Sequence, residues 1–287
     1  MMGHAGILPD AKRYSDEVET ILLEARRLSR SIRMGEHGRR SAGAGSDFWQ
    51  FRKFENGLDS PRLINWKQSA KSDGLFVRET EWSAPQTLSI MVNRTADNFI
   101  DHPKSKAYLN TLIALTLGYV YSDASEKVRI DCGEFLQMDR PSDQAEIAET
   151  LMRPNNQAWQ LSTANNIPQN SKALLLSSFF NDTEKLSEYV PKYAERGVTG
   201  CLLQVLTKDE ITFPFSGRVK FENATGSTVF QSDQARALRA EYLEKLQQNN
   251  ERLQSIAAAC GWTFLTVSIE LDPREVLGLC IEQLGMR

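Results

Sequence analysis

The stretch that most constrains the fold is Gln86 to Asn93, Gln-Thr-Leu-Ser-Ile-Met-Val-Asn, with a polar loop and a helical pattern directly behind it. Leu88, Ile90 and Val92 alternate over small or polar neighbours and run into apolar Met91, the pattern of a buried strand. The loop Arg94 to Asn98 follows, so that oxygen-bearing side chains fall at alternate positions: Asn93, Thr95 and Asp97. From about Pro103 to Ser122 the spacing of Tyr108, Leu112, Leu115 and Tyr119 predicts a helix. Strand, oxygen-rich loop and helix in this order build a site beyond the carboxyl end of a strand in an open α/β sheet.

The rest of the chain repeats the alternation. Two short strands are expected over Lys127–Gln137, meeting at Gly133, and a helix over Ser142–Met152 just after Pro141. A polar connection over Asn155–Ser171 leads to a buried-type strand, Lys172–Ser177. A helix over Asp182–Arg196, closed by Gly197, and a strand over Val198–Leu206 come next. Phe213–Phe230 reads as a hairpin with Gly217 and Gly226 at its turns. A long helix over Asp233–Cys260, a strand over Trp262–Ile269 and a helix over Pro273–Leu284 complete the series. Strands alternating with helices require a mostly parallel sheet.

Charge is unevenly spread. The net charge is -3, yet Arg26 to Arg78 holds twelve Lys/Arg against five Asp/Glu, leaving about -10 on the remainder. A basic front on an acidic body suggests self-association of unlike surfaces or an acidic partner. Ser15–Ile32 reads as a helix with a stripe of Val18, Ile21, Leu22, Ala25 and Leu28, and residues 1–12 as a loose tail. The four cysteines, Cys132, Cys201, Cys260 and Cys280, show no Cys-x-x-Cys, and reduced structural thiols are expected. Met1 to Tyr14 lacks an apolar signal core, and the longest apolar-leaning segment, Leu109–Val120, is too short and polar to span a bilayer. These features point to a cytoplasmic location without a transmembrane segment.

The glycine-spaced basic loop Gly35–Ala44 has neither the strand and helix of a dinucleotide fingerprint nor the Gly-Lys-Ser/Thr end of a P-loop. Behind it lies a block rich in aromatic and basic residues. Its ordered elements are Gly43-x-Gly45-x-x-Phe48, then Arg52, Gly57, Asp59, Arg62, Ile64-Asn65-Trp66, Ser69-Ala70-Lys71 and Phe76-Val77-Arg78-Glu79. In order and spacing this set resembles the family called domain of unknown function 58. The likeness departs from the family pattern at Leu58-Asp59, Asn65 and Lys71, where Asp-Asp, Asp and Arg are usual. It implies a von Willebrand factor A-like, doubly wound, mostly parallel sheet, preceded by an N-terminal helix and a small β appendage. The implied division is 1–34 for tail and helix, 35–85 for the signature block and 86–287 for the A-like domain. In the block, one reading is a β appendage stapled by its aromatics, with Arg52, Arg62 and Arg78 paired to Asp47, Asp59 and Glu79. The other reading, implied by the resemblance, is a partner surface of Arg52, Asp59, Arg62, Trp66 and Arg78.

The A-type domains so resembled hold a hard cation with an Asp-x-Ser-x-Ser loop, a Thr from a second loop and an Asp after a later strand. Here the first loop offers Asn93-x-Thr95-x-Asp97, and the later strand ends Ser177-Ser178-Phe179 where Ser-Asp-Phe is usual. Two carboxylates are missing, and an uncharged amide or hydroxyl orients a cation without neutralising it. The expectation is a degenerate adhesion-type metal site at Asn93, Thr95 and Asp97, with no cofactor, and magnesium or manganese as the alternative. The competing structural reading is that these three side chains bond one another and cap the next helix.

No histidine among His4, His37 and His102 lies in a nucleophile or zinc motif. The function the resemblance implies is a non-catalytic adaptor or assembly module. The resemblance implies a MoxR-type AAA+ ATPase as partner, with membrane-anchored A-type relatives also conceivable. The alternatives are a metal-assisted hydrolase using the 93–97 loop and nucleic-acid binding through the basic 26–78 region; the low pI of about 5.8 speaks against the last.

Overall fold

The computed structural model describes residues 7–37, 48–56, 59–71, 74–80, 86–99, 105–155, 157–222 and 229–285. The chain divides into two compact units, residues 1–33 with 86–287, and residues 34–85.

Helix α1 spans Ile7–His37. It starts earlier than Ser15 and ends beyond Ile32, which corrects the expected tail over residues 7–12 and the loop at Gly35. Asp10-Ala11-Lys12-Arg13 are tolerant of helix, and Pro9 falls in the first turn, where its missing N–H costs nothing. Ile21 and Ala25 are fully buried in the main core, with Val18, Leu22 and Leu28 packed beside them. Arg26 donates to Gln144 Oε1 at 2.8 Å, and its guanidinium lies 5.2 Å from the Tyr119 ring centre.

In the smaller unit, β1 (Phe48–Lys53) pairs antiparallel with β2 (Phe76–Thr80), with the short helix α2 (Trp66–Ser69) between them in sequence. Asn65 caps α2 by accepting from the Gln68 N–H at 3.0 Å, and the Ser69 hydroxyl accepts from the Phe76 N–H at 2.9 Å.

The larger unit is a mixed α/β structure. Its elements in order are β3 (Thr87–Val92), α3 (Lys106–Asp123), β4 (Lys127–Asp131), β5 (Phe135–Gln137), α4 (Pro141–Leu151), β6 (Lys172–Ser177), α5 (Thr183–Ala194), β7 (Thr199–Leu206), α6 (Lys208–Thr212), β8 (Val219–Glu222), β9 (Val229–Ser232), α7 (Ala235–Ala259), β10 (Thr263–Ser268) and α8 (Pro273–Gln283). Six strands form one sheet in the order β10-β7-β6-β3-β4-β5; every pairing is parallel except that of edge strand β5 with β4. Alternate residues feed opposite faces, as a strand's period of two demands. Leu88, Ile90, Leu174, Leu176, Cys201 and Leu203 pack with α3, α4 and α8. Met91, Ala173, Leu175 and Leu202 pack with α5 and α7 on the other side. Burial on both faces is why these strands read as near-continuous apolar runs. At Gly200 a Cβ would lie 2.5 Å from the Ala173 carbonyl oxygen and 2.9 Å from the Trp262 ring, so only glycine fits there.

β8 and β9 pair as a separate antiparallel ribbon. Gly217 does not form its turn: it precedes β8 at φ +71°, and its carbonyl accepts from the Ala235 N–H at 2.9 Å, tying the ribbon's entry to the start of α7. Gly226 lies outside the described residues. From β3 the chain passes to β4 on one side, and from β6 to β7 on the other. The reversal therefore falls between β3 and β6, and a crevice at their carboxyl ends is the natural ligand position in such a sheet.

Candidate functional site

Asn93 and Ser177 stand at the carboxyl ends of β3 and β6, and both are buried. The Asn93 N–H continues the ladder to the Leu176 carbonyl at 2.8 Å, which fixes the side chain over the crevice. Asn93 Oδ1 accepts from the Thr95 N–H at 2.9 Å. A backbone N–H can only donate, so this contact settles which side-chain atom is the oxygen. The Nδ2 amide group consequently faces the other way, donating to Ser177 Oγ at 2.9 Å and to Asp182 Oδ2 at 3.2 Å. The Ser177 hydroxyl donates to the same Asp182 oxygen at 3.1 Å and accepts from the Phe179 N–H at 3.1 Å. Its one donor and two acceptor positions are thereby filled.

Asp182 is the functional-type residue that sequence reasoning missed. The sequence places it only at the start of a helix, and it does stand at the N-cap of α5, but its side chain caps no N–H there. The carboxyl group, 6% exposed, turns into the crevice instead. Burial pushes its pKa above the usual carboxylate range, opposed by the Ser177 hydrogen bond, the Lys185 charge and the Asn93 amide. The three residues before it explain the turn. Phe179 adopts left-handed backbone at φ +53°, rare for a bulky residue, while its ring is fully buried 6.1 Å from that of Trp159. The Phe179 carbonyl accepts from Asn249 Nδ2 at 3.2 Å, and Asn249 Oδ1 accepts from the Thr183 hydroxyl at 2.7 Å. An aspartate at an N-cap just beyond a central strand is the one signal that could have found it.

Thr95 and Asp97 are placed differently. Thr95 Oγ1 accepts from Asn98 Nδ2 at 3.0 Å and so braces its own loop. Asp97 is exposed in a short 3-10 turn, Ala96–Asn98, on the rim of a cleft of about 520 Å³ that Asn93, Ser178, Asp182 and Lys185 also line. The carboxylate that joins Asn93 is thus Asp182 rather than Asp97. Helix α3 is capped by Ser105, which accepts from the Tyr108 N–H at 3.1 Å, so the expectation that the 93–97 side chains cap it is corrected. Ser178 is nearly buried, and its carbonyl accepts from Gln204 Nε2 at 3.0 Å. Across the cleft Lys106, almost wholly buried, pairs with Glu210 at 2.5 Å, and Glu210 closes a capping box with Thr207.

This donor set does not fit a hard divalent cation. Such an ion needs several oxygens converging at about 2.0–2.6 Å. Here the Asn93 oxygen is committed to a backbone N–H, an NH2 group faces the only nearby buried carboxylate, and the Ser177 hydroxyl is saturated. Among the described residues, no group of three or more His, Cys, Asp or Glu side chains is placed to hold a metal. Burial pushes the Cys132 thiol up to about 12 and the Cys201 thiol up to about 11, away from the reactive thiolate. His4 and His102 lie outside the described residues, as does the His37 side chain.

In the smaller unit Arg52 makes a bidentate pair with Asp59, at 3.0 and 2.7 Å, and Asp59 also accepts from the Glu55 N–H at 2.9 Å. These bonds hold the Asp59 carboxyl below its usual range. Asp59 is therefore the partner of Arg52, and the two form an internal strut of the sequence-predicted partner surface. Arg62 is exposed, and Trp66 is 65% exposed, so both are accessible within that unit. The side chain of Arg78 lies outside the described residues.

Residues 50–252 match the family described as "Protein of unknown function DUF58". The chain belongs to that family. No curated protein matches this DUF58 chain. Among solved structures it is similar to an aerotolerance-related membrane protein from Bacteroides fragilis NCTC 9343 carrying multiple mutations to serines, at 10% identity and TM-score 0.39, over 71% of this chain and 100% of the other. It is also similar to the conserved hypothetical protein BatB from Bacteroides thetaiotaomicron, at 13% identity and TM-score 0.38, over 70% of this chain and 100% of that one. No helix among the described residues is long and apolar enough to cross a membrane.

Proposed function

We propose that this DUF58 chain is a non-catalytic protein-interaction module of von Willebrand factor A-like architecture. It acts in the cytoplasm as an adaptor or assembly factor for a MoxR-type AAA+ ATPase. The observation that carries the reading is the closed cluster of Asn93, Ser177 and Asp182. A position suited to ligating an ion is occupied by an amide that donates to the carboxylate. Hydrogen bonds of this kind rigidify a crevice, and they engage the Asn93 oxygen, the Ser177 hydroxyl and the Asp182 carboxyl group within the protein. Arg62 and Trp66 in the smaller unit and the rim of the 93–97 cleft are the surfaces such a module would offer.

The test is reciprocal affinity capture from the native host, with the chain and a co-expressed MoxR-type ATPase tagged in turn. Co-purification that survives removal of divalent ions, and that is lost in an Arg62→Glu/Trp66→Ala double variant, is the expected result. Failure of the two to associate in either direction overturns the partnership. Turnover of a phosphate ester or peptide by the purified chain, lost in Asp182→Asn, would instead establish an enzyme.

A further inference from the structure

Beside the 93–97 cleft lies a second opening of about 720 Å³, inside the span of about 300–1,000 Å³ typical of ligand pockets. Six aromatic rings wall it: Phe180, Phe213, Phe215, Phe221, Phe230 and Tyr242. They come from the loop after β6, the α6–β8 connection, the β8–β9 ribbon and α7, so four separate parts of the fold converge on it. Its floor is preformed. Phe213 is 6% exposed and held at φ +44°, with Tyr242 at 4.7 Å, Phe215 at 5.1 Å and Phe221 at 5.8 Å between ring centres. The Tyr242 hydroxyl donates to the Glu210 carbonyl at 2.8 Å, which pins α7 to α6. Two rings are left open to solvent, Phe180 at 37% and Phe230 at 52% exposure. Rings of this size kept accessible beside a rigid floor mark an interaction site rather than unfinished core.

The charge around the opening selects the occupant. Its lining holds four carboxylates, Asp97, Asp209, Glu210 and Glu241, against two ammonium groups, Lys106 and Lys245. Both ammonium groups are already engaged within the lining, Lys106 with Glu210 at 2.5 Å and Lys245 with Glu241 at 2.6 Å. Among the described lining residues this leaves the exposed carboxylate of Asp209 on the rim. An acidic ligand is repelled there, and a purely apolar one would cover carboxylates without compensating them. Asp97, Lys106, Phe180, Glu210, Phe221 and Phe230 also line the 93–97 cleft, so the two openings lie side by side and suit an extended chain better than a compact molecule.

We propose that this aromatic pocket receives a bulky apolar side chain from a partner's peptide segment, with a Lys or Arg of that segment within three positions set against the acidic rim. The inference rests on the adaptor reading and names the chemistry of what the adaptor takes.

The experiment is selection of a random linear peptide library displayed on phage against the full chain, followed by fluorescence-anisotropy titration of the enriched peptides. The expected consensus is an aromatic or branched aliphatic anchor with a nearby Lys or Arg. Binding should weaken as salt rises and fall about tenfold or more in Phe230→Ser and in Asp209→Lys. Asp209 is exposed on α6, so its charge reversal tests the rim even if Phe230→Ser disturbs the ribbon. No enrichment, an acidic consensus, or peptides whose Kd is unchanged in Asp209→Lys would overturn the proposal. So would saturable binding of small apolar amines with no peptide selected, which would make the opening a small-molecule pocket. The adaptor reading fails separately. A captured ATPase with no peptide selected by the chain refutes the pocket and leaves the adaptor standing. An anchored basic consensus with no captured ATPase supports the pocket and removes that partnership.

Discussion

Two aspartates in this chain show what surroundings do to one side chain. Asp182, in the crevice between β3 and β6, is buried and accepts from an amide and a hydroxyl, and burial raises its pKa. Asp59, in the β1–β2 unit, faces a guanidinium and a backbone N–H, and those bonds lower its pKa. The crevice resists negative charge, whereas the strut depends on it. The hydrogen bonds from Asn93 and Ser177 give that buried carboxyl group a fixed place.

Linkage makes the contrast measurable. A raised folded-state value means that Asp182 favours the fold when protonated; that contribution is full below the ordinary carboxylate range and is lost as pH rises through the raised value. A lowered value means the reverse for Asp59, whose contribution is present above the ordinary range and lost as pH falls through the lowered value.

The largest break in the comparison comes from Asn93→Asp. It removes the amide donor and sets a second carboxylate against Asp182, which should lower stability by roughly 2–4 kcal/mol in chelator. Millimolar magnesium or manganese should then recover part of the loss, as read by thermal unfolding, because two facing carboxylates are what the wild-type crevice lacks. Asp182→Ala should cost less, about 1–3 kcal/mol, by leaving the Ser177 hydroxyl without its acceptor. Asp182→Asn keeps an acceptor oxygen and removes the charge. Its melting temperature should equal or exceed that of wild type at about pH 8, and the separation should close toward about pH 4. The smallest effect belongs to Asp59→Asn, a slight loss that fades with added salt and with acid and leaves the α/β unit's melting unchanged.

Much of this architecture was legible in the residues, because a parallel sheet buried on both faces writes itself as apolar runs. Lys172–Ser177 and Thr199–Leu206 are strands of that kind, and the glycine after α5 takes the left-handed conformation at φ +74°. The extent of α1 was less legible, since Pro9 reads as a breaker although Ile7, Ala11 and Tyr14 continue the stripe of Val18 at helical spacing. Asn93, Thr95 and Ser178 could be found because they follow strand ends. Asp182 leaves a weaker trace, an aspartate opening a helix just beyond a strand, because the left-handed backbone at Phe179 that folds it back lies in no spacing rule. Nor does sequence say which way an amide faces. The Thr95 N–H decides that at Asn93, and with it the polarity of the whole crevice.

The most direct test is a calorimetric titration of manganese into chelator-treated wild-type protein, with Asp182→Ala alongside. A flat isotherm for both is the result this geometry predicts. A saturable one-to-one isotherm in wild type that disappears in Asp182→Ala would contradict it, for the amide of Asn93 would then have to turn its oxygen toward an ion.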